Sequence, residues 1–122
     1  MKNREQIRAR NAMKAAEQNL AGPNGGEVIK KIPPLIMNHG LLAVGAYAFD
    51  EKTGYRGAID AIARHLADPD VALVPRNADS TVKLLDYLTK EADAGKLKLV
   101  TAETMAWLNY ARRFIKKEDK KG

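Results

Sequence analysis

The stretch LIMNHGLLAVGAYAF, residues 35–49, is apolar on nearly every side of a helix. A helix of this kind is buried among other elements, and the run is too short to cross a bilayer. We therefore predict a buried central helix here. The preceding pair Pro33-Pro34 suits the first turn of a helix and disrupts a helix interior, so it predicts a kink or a restart of the second helix. Gly40 and Gly45 lower helix propensity, which indicates the close approach of a neighbouring helix.

The first helix is predicted upstream, over residues 3–20. Asn3 and Gln6 have the spacing of a capping box, in which each side chain bonds the backbone N–H of the other residue. The apolar stripe that we expect to face the core consists of Ala9, Ala12, Met13, Ala16 and Leu20. The polar residues that we expect to face away from it are Arg4, Arg8, Asn11 and Gln18. The segment GPNGG, residues 22–26, ends this helix because clustered glycine and proline break helices.

Downstream of the central segment, apolar residues again recur at helical spacing. A helix is predicted over residues 55–67, followed by a loop with two prolines over 68–79. The next helix is predicted from a cap at Ser80 or Asp79 to a point before Gly95. Thr101 is predicted to cap the last helix, which carries a broad apolar arc on one side and basic residues on the other.

Together these segments predict an all-α fold, a single-domain bundle of five to six helices over residues 1–117. Residues 118–122 are predicted to be a basic, disordered tail. A chain of 122 residues is one domain and buries enough surface to form a core without disulfide bonds or a structural metal ion. The absence of cysteine excludes a disulfide scaffold and thiol catalysis and fits a reducing compartment. The first ten residues lack the apolar segment of a secretory signal, so we predict a cytoplasmic protein with no membrane span.

The net charge of +6 lies at the two ends of the chain. Residues 1–20 carry five basic and two acidic side chains, and residues 112–122 carry six basic and two acidic ones. The residues between these ends carry ten basic and eleven acidic side chains. Charge concentrated in this way favours a polyanionic partner, most often a nucleic acid. The alternative interpretation is a solvated basic face with a lysine-rich tail.

The sequence contains no recognisable catalytic constellation. His39 lies in the apolar segment and is interpreted as a hydrogen-bonded helix residue. His65 with Asp68 and Asp70 forms only a loose metal-like cluster, and the C-terminal end of a helix favours His65 there as a cation. No glycine-rich phosphate loop or nucleophile elbow is present, and the few aromatic residues lie mostly on faces predicted to be buried. We therefore predict a binding module, not an enzyme, without a metal or cofactor.

Three stretches in a fixed order carry a resemblance to a known family. They are NREQIRARNAMKAAE at 3–17, IPPLIMNHGLLAVGAYAF at 32–49 and LKLVTAETMAWLNYARRF at 97–114. The matching positions are Ile32, Pro33, Leu35, Ile36, Gly40, Leu41, Ala48 and Phe49 in the middle stretch and Thr101, Glu103, Trp107, Arg113 and Phe114 in the last one. The chain resembles the small all-helical subunit of the type III-B CRISPR effector, the RAMP-module (Cmr) complex.

The resemblance implies a non-catalytic subunit of an RNA-guided complex in antiviral defence. In this family several copies stack as a short filament along the backbone subunits, reach toward the large polymerase-like subunit and line the channel for guide RNA and target RNA. Basic helix faces suit contacts to RNA phosphates. The residues expected to make them are Arg4, Arg8, Lys30, Lys31, Arg112, Arg113, Lys116 and Lys117. The alternative is a free-standing helical nucleic-acid-binding or adaptor protein outside CRISPR systems.

Overall fold

The computed structural model describes residues 2–17 and 25–114. In these ranges the chain forms α-helices and one 3₁₀ helix and no strand, which confirms the predicted all-α fold. The elements are α1 (Arg4–Glu17), α2 (Gly25–His39), α3 (Leu41–Phe49), the 3₁₀ helix (Glu51–Thr53), α4 (Arg56–Ala67), α5 (Thr81–Lys90) and α6 (Ala94–Phe114). The tail predicted over 118–122 lies outside the described residues.

The helices pack in three layers. The pair α1 and α6 lies on one side, the pair α3 and α5 lies on the other, and α2 and α4 lie between them and contact both pairs. Of the twelve residues of α4, eight are buried, and Ile59, Ile62 and Leu66 are among the largest fully buried side chains. The central helix of the bundle is therefore α4. None of the described helices combines the length and the apolarity needed to cross a membrane.

Residues 35–49 do not form the buried central helix that we predicted. They are divided between the end of α2 and the whole of α3, which lies in an outer layer. One face of α3 buries Val44 and Ala48, but Tyr47 and Phe49 on the other side are each 54% exposed. The prediction is wrong because an apolar segment is buried all round only where neighbours reach every side of it, and the described helices cover α3 on one side.

The break in this segment lies at Gly40. Its φ of 92° and ψ of 157° fall in a backbone region that only glycine adopts readily, so the chain changes direction there between α2 and α3. Apart from Gly40 and its chain neighbours, no described residue comes within 4 Å of the position of a Cβ at Gly40, so the predicted close approach is wrong at this residue. It is confirmed at Gly45, where a Cβ would stand 2.8 Å from Cδ2 of Leu85 in α5.

Of the two alternatives predicted at Pro33-Pro34, a kink or a restart, the restart is wrong, because both prolines lie inside α2. Each proline lacks the N–H that would bond to the carbonyl four residues earlier, which weakens the helix locally. Ile32 and Ile36 flank the pair and are buried in the core, and their burial holds the helix together through this point. Packing therefore overrides the local preference of proline.

Helix α1 begins as predicted but buries a different face. The backbone N–H of Asn3 donates to Gln6 Oε1 and that of Gln6 donates to Asn3 Oδ1, both at 2.9 Å, which confirms the capping box. The predicted stripe is wrong in part, since Met13 is 49% exposed. The residues that α1 buries are Ile7, Asn11, Ala12 and Ala15. Polar partners on other helices determine which face of α1 is buried. The spacing of apolar residues along α1 does not reveal those partners.

Helix α6 begins before the predicted cap at Thr101. Asp93 accepts a backbone N–H of the first turn at 2.8 Å and so caps the helix. The hydroxyl of Thr101 donates to the carbonyl of Leu97 at 2.8 Å inside the helix, so its assignment as a cap is wrong. Of the two caps predicted for α5, Ser80 and Asp79, the structure has Ser80, whose side chain accepts a backbone N–H of the first turn.

Candidate functional site

A buried carboxylate joins α6 to α1 and α4. Glu103 of α6 is only 4% exposed. It accepts hydrogen bonds from Nε and Nη2 of Arg8 at 2.8 and 2.7 Å, from Nη1 of Arg4 at 3.1 Å and from Nε2 of His65 at 2.9 Å. Burial by itself would raise the pKa of Glu103, but the hydrogen bonds from Arg8 and His65 outweigh it and lower the pKa to about 2. Glu103 is therefore ionised at neutral pH and connects three helices.

His65 lies in the last turn of α4 and is 2% exposed. The side-chain oxygen of Asn11 accepts from Nε of Arg10, so its nitrogen is the donor to Nδ1 of His65, at 2.9 Å. This assignment makes His65 the neutral tautomer whose Nε2–H donates to Glu103. Its ring also stacks on Trp107, with the centroids 5.5 Å apart. Burial lowers the pKa of His65, so its predicted role as a cation at a helix end is wrong.

A second set of contacts fastens α1 to the chain after α4. Asp68 accepts from Nη2 of Arg10 at 2.7 Å and from Nδ2 of Asn11 at 3.1 Å, and Asp70 accepts from Nη1 of Arg10 at 3.2 Å. Burial would raise the pKa of Asp68, but the backbone N–H of Asp70 and the side chains of Asn11 and Arg10 together lower it. We call these contacts and those of Glu103 the α1 latch. It comprises Arg4, Arg8, Arg10, Asn11, His65, Asp68, Asp70 and Glu103.

The α1 latch replaces the metal-like cluster considered from the sequence. His65 is held by Asn11 and Glu103, while Asp68 and Asp70 are held by Arg10 and Asn11. Within residues 2–17 and 25–114, no group of three or more acidic or histidine side chains is placed to hold a metal ion. His39, the other histidine, lies in the last turn of α2, as the helix residue that the sequence predicted, and is exposed.

The structure places the eight predicted RNA-contacting residues in different settings. Arg4 and Arg8 point to Glu103, with side chains 40% and 25% exposed. Lys30 and Lys31 are exposed on α2, which packs against α6. Arg112 and Arg113 are exposed in the last turn of α6. Lys116 and Lys117 lie outside the described residues.

The sequence analysis missed Glu103 and Asn11 as the groups that organise this region. Glu103 lies four residues before Trp107, on the arc of α6 that the fold buries. A charged residue within an otherwise apolar arc is a detectable signal, since a buried carboxylate needs partners. The identity of those partners was not detectable, because Arg8 and Glu103 are separated by 95 residues.

We expect acid to destabilise the protein in two stages. The pKa of His65 is lower in the folded than in the unfolded chain, so the unfolded chain binds more protons below its ordinary pKa of 6.5, and stability falls with pH from there. The pKa of Glu103 drops from 4.5 to about 2, so its contribution is complete above about pH 5 and is lost as the pH falls toward 2. That second contribution is about 3 kcal/mol. Urea unfolding measured at a series of pH values tests both stages.

The control for the first stage is His65→Gln. Glutamine can donate to Glu103 but does not titrate, so the variant should lose the pH dependence that begins below about pH 6.5 while keeping the steeper loss at lower pH. A wild-type free energy of unfolding that stays constant from neutral pH down to about pH 3 would contradict the burial of both groups.

The fold and the α1 latch define a small, all-helical protein in which charged residues of the first helix fasten that helix to the rest of the bundle. A family model described as CRISPR-associated protein (Cas_Cmr5) matches residues 4–118, nearly the whole chain. The chain therefore belongs to this family of CRISPR-associated proteins, which confirms the resemblance found in the sequence. The family makes it a subunit of a CRISPR Cmr complex, acting with other subunits. No curated protein and no solved structure matches the chain.

Proposed function

We propose that the protein is a non-catalytic small subunit of a type III-B RNA-guided effector in the cytoplasm. In this role several copies stack along the backbone subunits and contact the phosphates of guide and target RNA. The observation that carries the proposal is the family match over residues 4–118. The location of the net positive charge at the two ends of the chain supports the RNA contact. The chain needs no metal or cofactor for this role.

The predicted basic residues differ in whether their side chains are paired with a carboxylate or exposed. Arg4 and Arg8 are held by a buried carboxylate, so using them for RNA would cost the contacts that fasten α1. Arg112 and Arg113 are exposed at the end of α6, and Lys30 and Lys31 are exposed on the adjacent α2. We assign the principal phosphate contacts to these four, with Lys116 and Lys117 continuing the basic segment beyond α6.

The double variant Arg112→Glu/Arg113→Glu tests this assignment. We expect the reconstituted complex to hold RNA less tightly, and the slope of log affinity against log salt to fall by about 0.7 for each single-strand phosphate that the variant no longer neutralises. Filter binding at several salt concentrations measures the slope. Circular dichroism should show an unchanged helix content, because both side chains are exposed.

The matched control is Lys52→Glu/Lys83→Glu, which makes the same change of charge on the side of α3 and α5, where both lysines are exposed. Equal losses in the two double variants would indicate a general effect of net charge and would contradict a localised RNA-facing surface. Purification of the protein with bulk cellular RNA and without other effector subunits would favour the free-standing alternative.

A further inference from the structure

The side chain of Asn11 fixes the protonation state of His65. Its Oδ1 accepts from Nε of Arg10 at 3.1 Å, and its Nδ2 donates to Oδ2 of Asp68 at 3.1 Å and to Nδ1 of His65 at 2.9 Å. Because Nδ1 receives a hydrogen bond, it carries a lone pair, and Nε2 holds the hydrogen that is donated to Glu103. Arg10 and Asp68 orient the amide of Asn11, and with that orientation only a neutral His65 fits.

A proton on Nδ1 of His65 would place two donors opposite each other. Reversing the amide of Asn11 would supply an acceptor for the new N–H, but it would also bring the amide oxygen against the carboxylate of Asp68. The amide nitrogen would at the same time face the guanidinium of Arg10. Protonation of His65 therefore costs contacts of α1 in either orientation of Asn11.

The charges of the α1 latch balance only while His65 is neutral. Its three arginines, Arg4, Arg8 and Arg10, pair with its three carboxylates, Asp68, Asp70 and Glu103. A proton on His65 adds a fourth cation to this set, at a side chain that is only 2% exposed. An uncompensated charge at a buried position is costly unless water reaches it.

The groups around His65 come from three parts of the chain. Burial has the largest influence and lowers the pKa of His65, Glu103 on α6 and Asp68 after α4 raise it, and Arg8 on α1 lowers it. Glu5 on α1 and Tyr110 on α6 act on Arg8. Since burial outweighs the attraction of the two carboxylates, exposure to water is the change that best accommodates a proton on His65.

Helix α1 is the element that can move to let water reach His65. It supplies Asn11 and Arg8 to the surroundings of the ring, and the only large apolar side chain that it buries is Ile7. Helix α4, which carries His65, is held by eight buried residues. Local opening occurs where few apolar contacts hold an element, so α1 opens more readily than α4.

We propose that the α1 latch is sensitive to pH: protonation of His65 at Nδ1 detaches α1 from α4 and α6 while the rest of the bundle stays folded. Detachment exposes His65 to water and separates Arg4, Arg8 and Arg10 from their carboxylates. The basic side chains of α1 then become available to other partners. This inference goes beyond the proposed function and does not depend on it.

Hydrogen exchange of the full chain at about pH 7.5 and about pH 5.5 tests the proposal. In the detached form His65 has its ordinary pKa of 6.5, so the population of that form should rise about tenfold over the first pH unit below this value. We expect protection factors in the second half of α1, corrected for the pH dependence of exchange itself, to fall about tenfold. Those of α4 should change by less than about twofold.

His65→Gln is the first companion variant. Glutamine keeps a donor for Glu103 and does not titrate, so the protection of α1 should be the same at both pH values. The sequence contains two histidines, and the imidazole signal that is missing from the NMR spectrum of this variant identifies His65 in the wild type. The pKa of His65 can then be followed directly.

Asn11→Asp should reverse the effect of pH. A carboxylate at this position accepts a hydrogen bond from a protonated Nδ1 and adds the negative charge that a protonated His65 needs for balance. We expect the pKa of His65 to be higher than in the wild type, and α1 to be protected at about pH 5.5 at least as well as at about pH 7.5. Asn77→Asp, in the exposed loop before α5, is the matched control and should behave as the wild type does. Circular dichroism shows whether each variant is folded.

Two results would overturn the proposal. Equal losses of protection in α1 and α4 would mean that protonation acts on the whole bundle, and a loss in His65→Gln as large as that of the wild type would mean that another group titrates. Either result would leave the role as an effector subunit untouched, because neither measurement involves RNA or other subunits.

Discussion

Glu103→Ala is expected to lower the free energy of unfolding by about 2–4 kcal/mol, because it removes the buried carboxylate that accepts hydrogen bonds from Arg4, Arg8 and His65. Arg8 loses both of its hydrogen bonds to the carboxylate, Arg4 loses one and His65 is left with a buried N–H that has no acceptor. Domains of this size are stable by roughly 5–15 kcal/mol, so the loss is a large fraction of the total. Urea unfolding at neutral pH measures it.

The matched control for this prediction is Glu91→Ala, which removes an exposed carboxylate just after α5. It should change stability by less than about 0.5 kcal/mol. Hydrogen exchange gives a second readout, since amides of α1 should lose protection in Glu103→Ala more than amides of α4. A loss below about 1 kcal/mol would mean that the α1 latch contributes little to stability.

Trp107→Ala is expected to cost about 3–5 kcal/mol, because it empties the site of the largest fully buried side chain. The change also removes the indole ring on which the imidazole of His65 stacks. His65 therefore loses a packing contact that holds it in place within the α1 latch. Thermal and urea unfolding test the size of the loss. A cost near 1 kcal/mol would show that the surrounding helices collapse into the space.

Trp107→Phe separates the effect of lost ring volume on stability from the effect of removing the polar atom Nε1. Nε1 of Trp107 is buried and finds no acceptor among the described protein atoms. An unpaired buried donor costs about 1–3 kcal/mol, so its removal offsets much of the volume lost to phenylalanine. We expect Trp107→Phe to be destabilised by less than about 2 kcal/mol. A loss as large as that of Trp107→Ala would show that Nε1 contributes a favourable interaction.

The α1 latch changes how the basic N-terminal residues are understood. The sequence alone places Arg4 and Arg8 among cations available to RNA, whereas the structure commits both to Glu103. The apolar side chains that α1 buries are Ile7, Ala12 and Ala15, and only Ile7 is large. The attachment of α1 to the rest of the bundle therefore depends more on these ion pairs than on buried apolar area.

Features that depend on neighbouring residues could be predicted from the sequence. The all-α fold, the capping box of Asn3 and Gln6 and the cap at Ser80 all follow from contacts within three or four positions. The family also followed from the sequence, because ordered motifs at both ends of the chain carry that information directly. Such local features can be predicted from the order of the residues along the chain.

Tertiary structure alone decided which faces are buried and which charges are paired. The buried face of α1 is set by Glu103 and His65, which lie 95 and 54 residues away from their partners Arg8 and Asn11. Most of the apolar segment 35–49 forms α3, which lies in an outer layer because α4 occupies the centre. No local pattern tells which of two apolar helices will be the more buried. Burial and charge pairing depend on residues that folding brings together from distant parts of the chain, so they emerge only when the helices have packed.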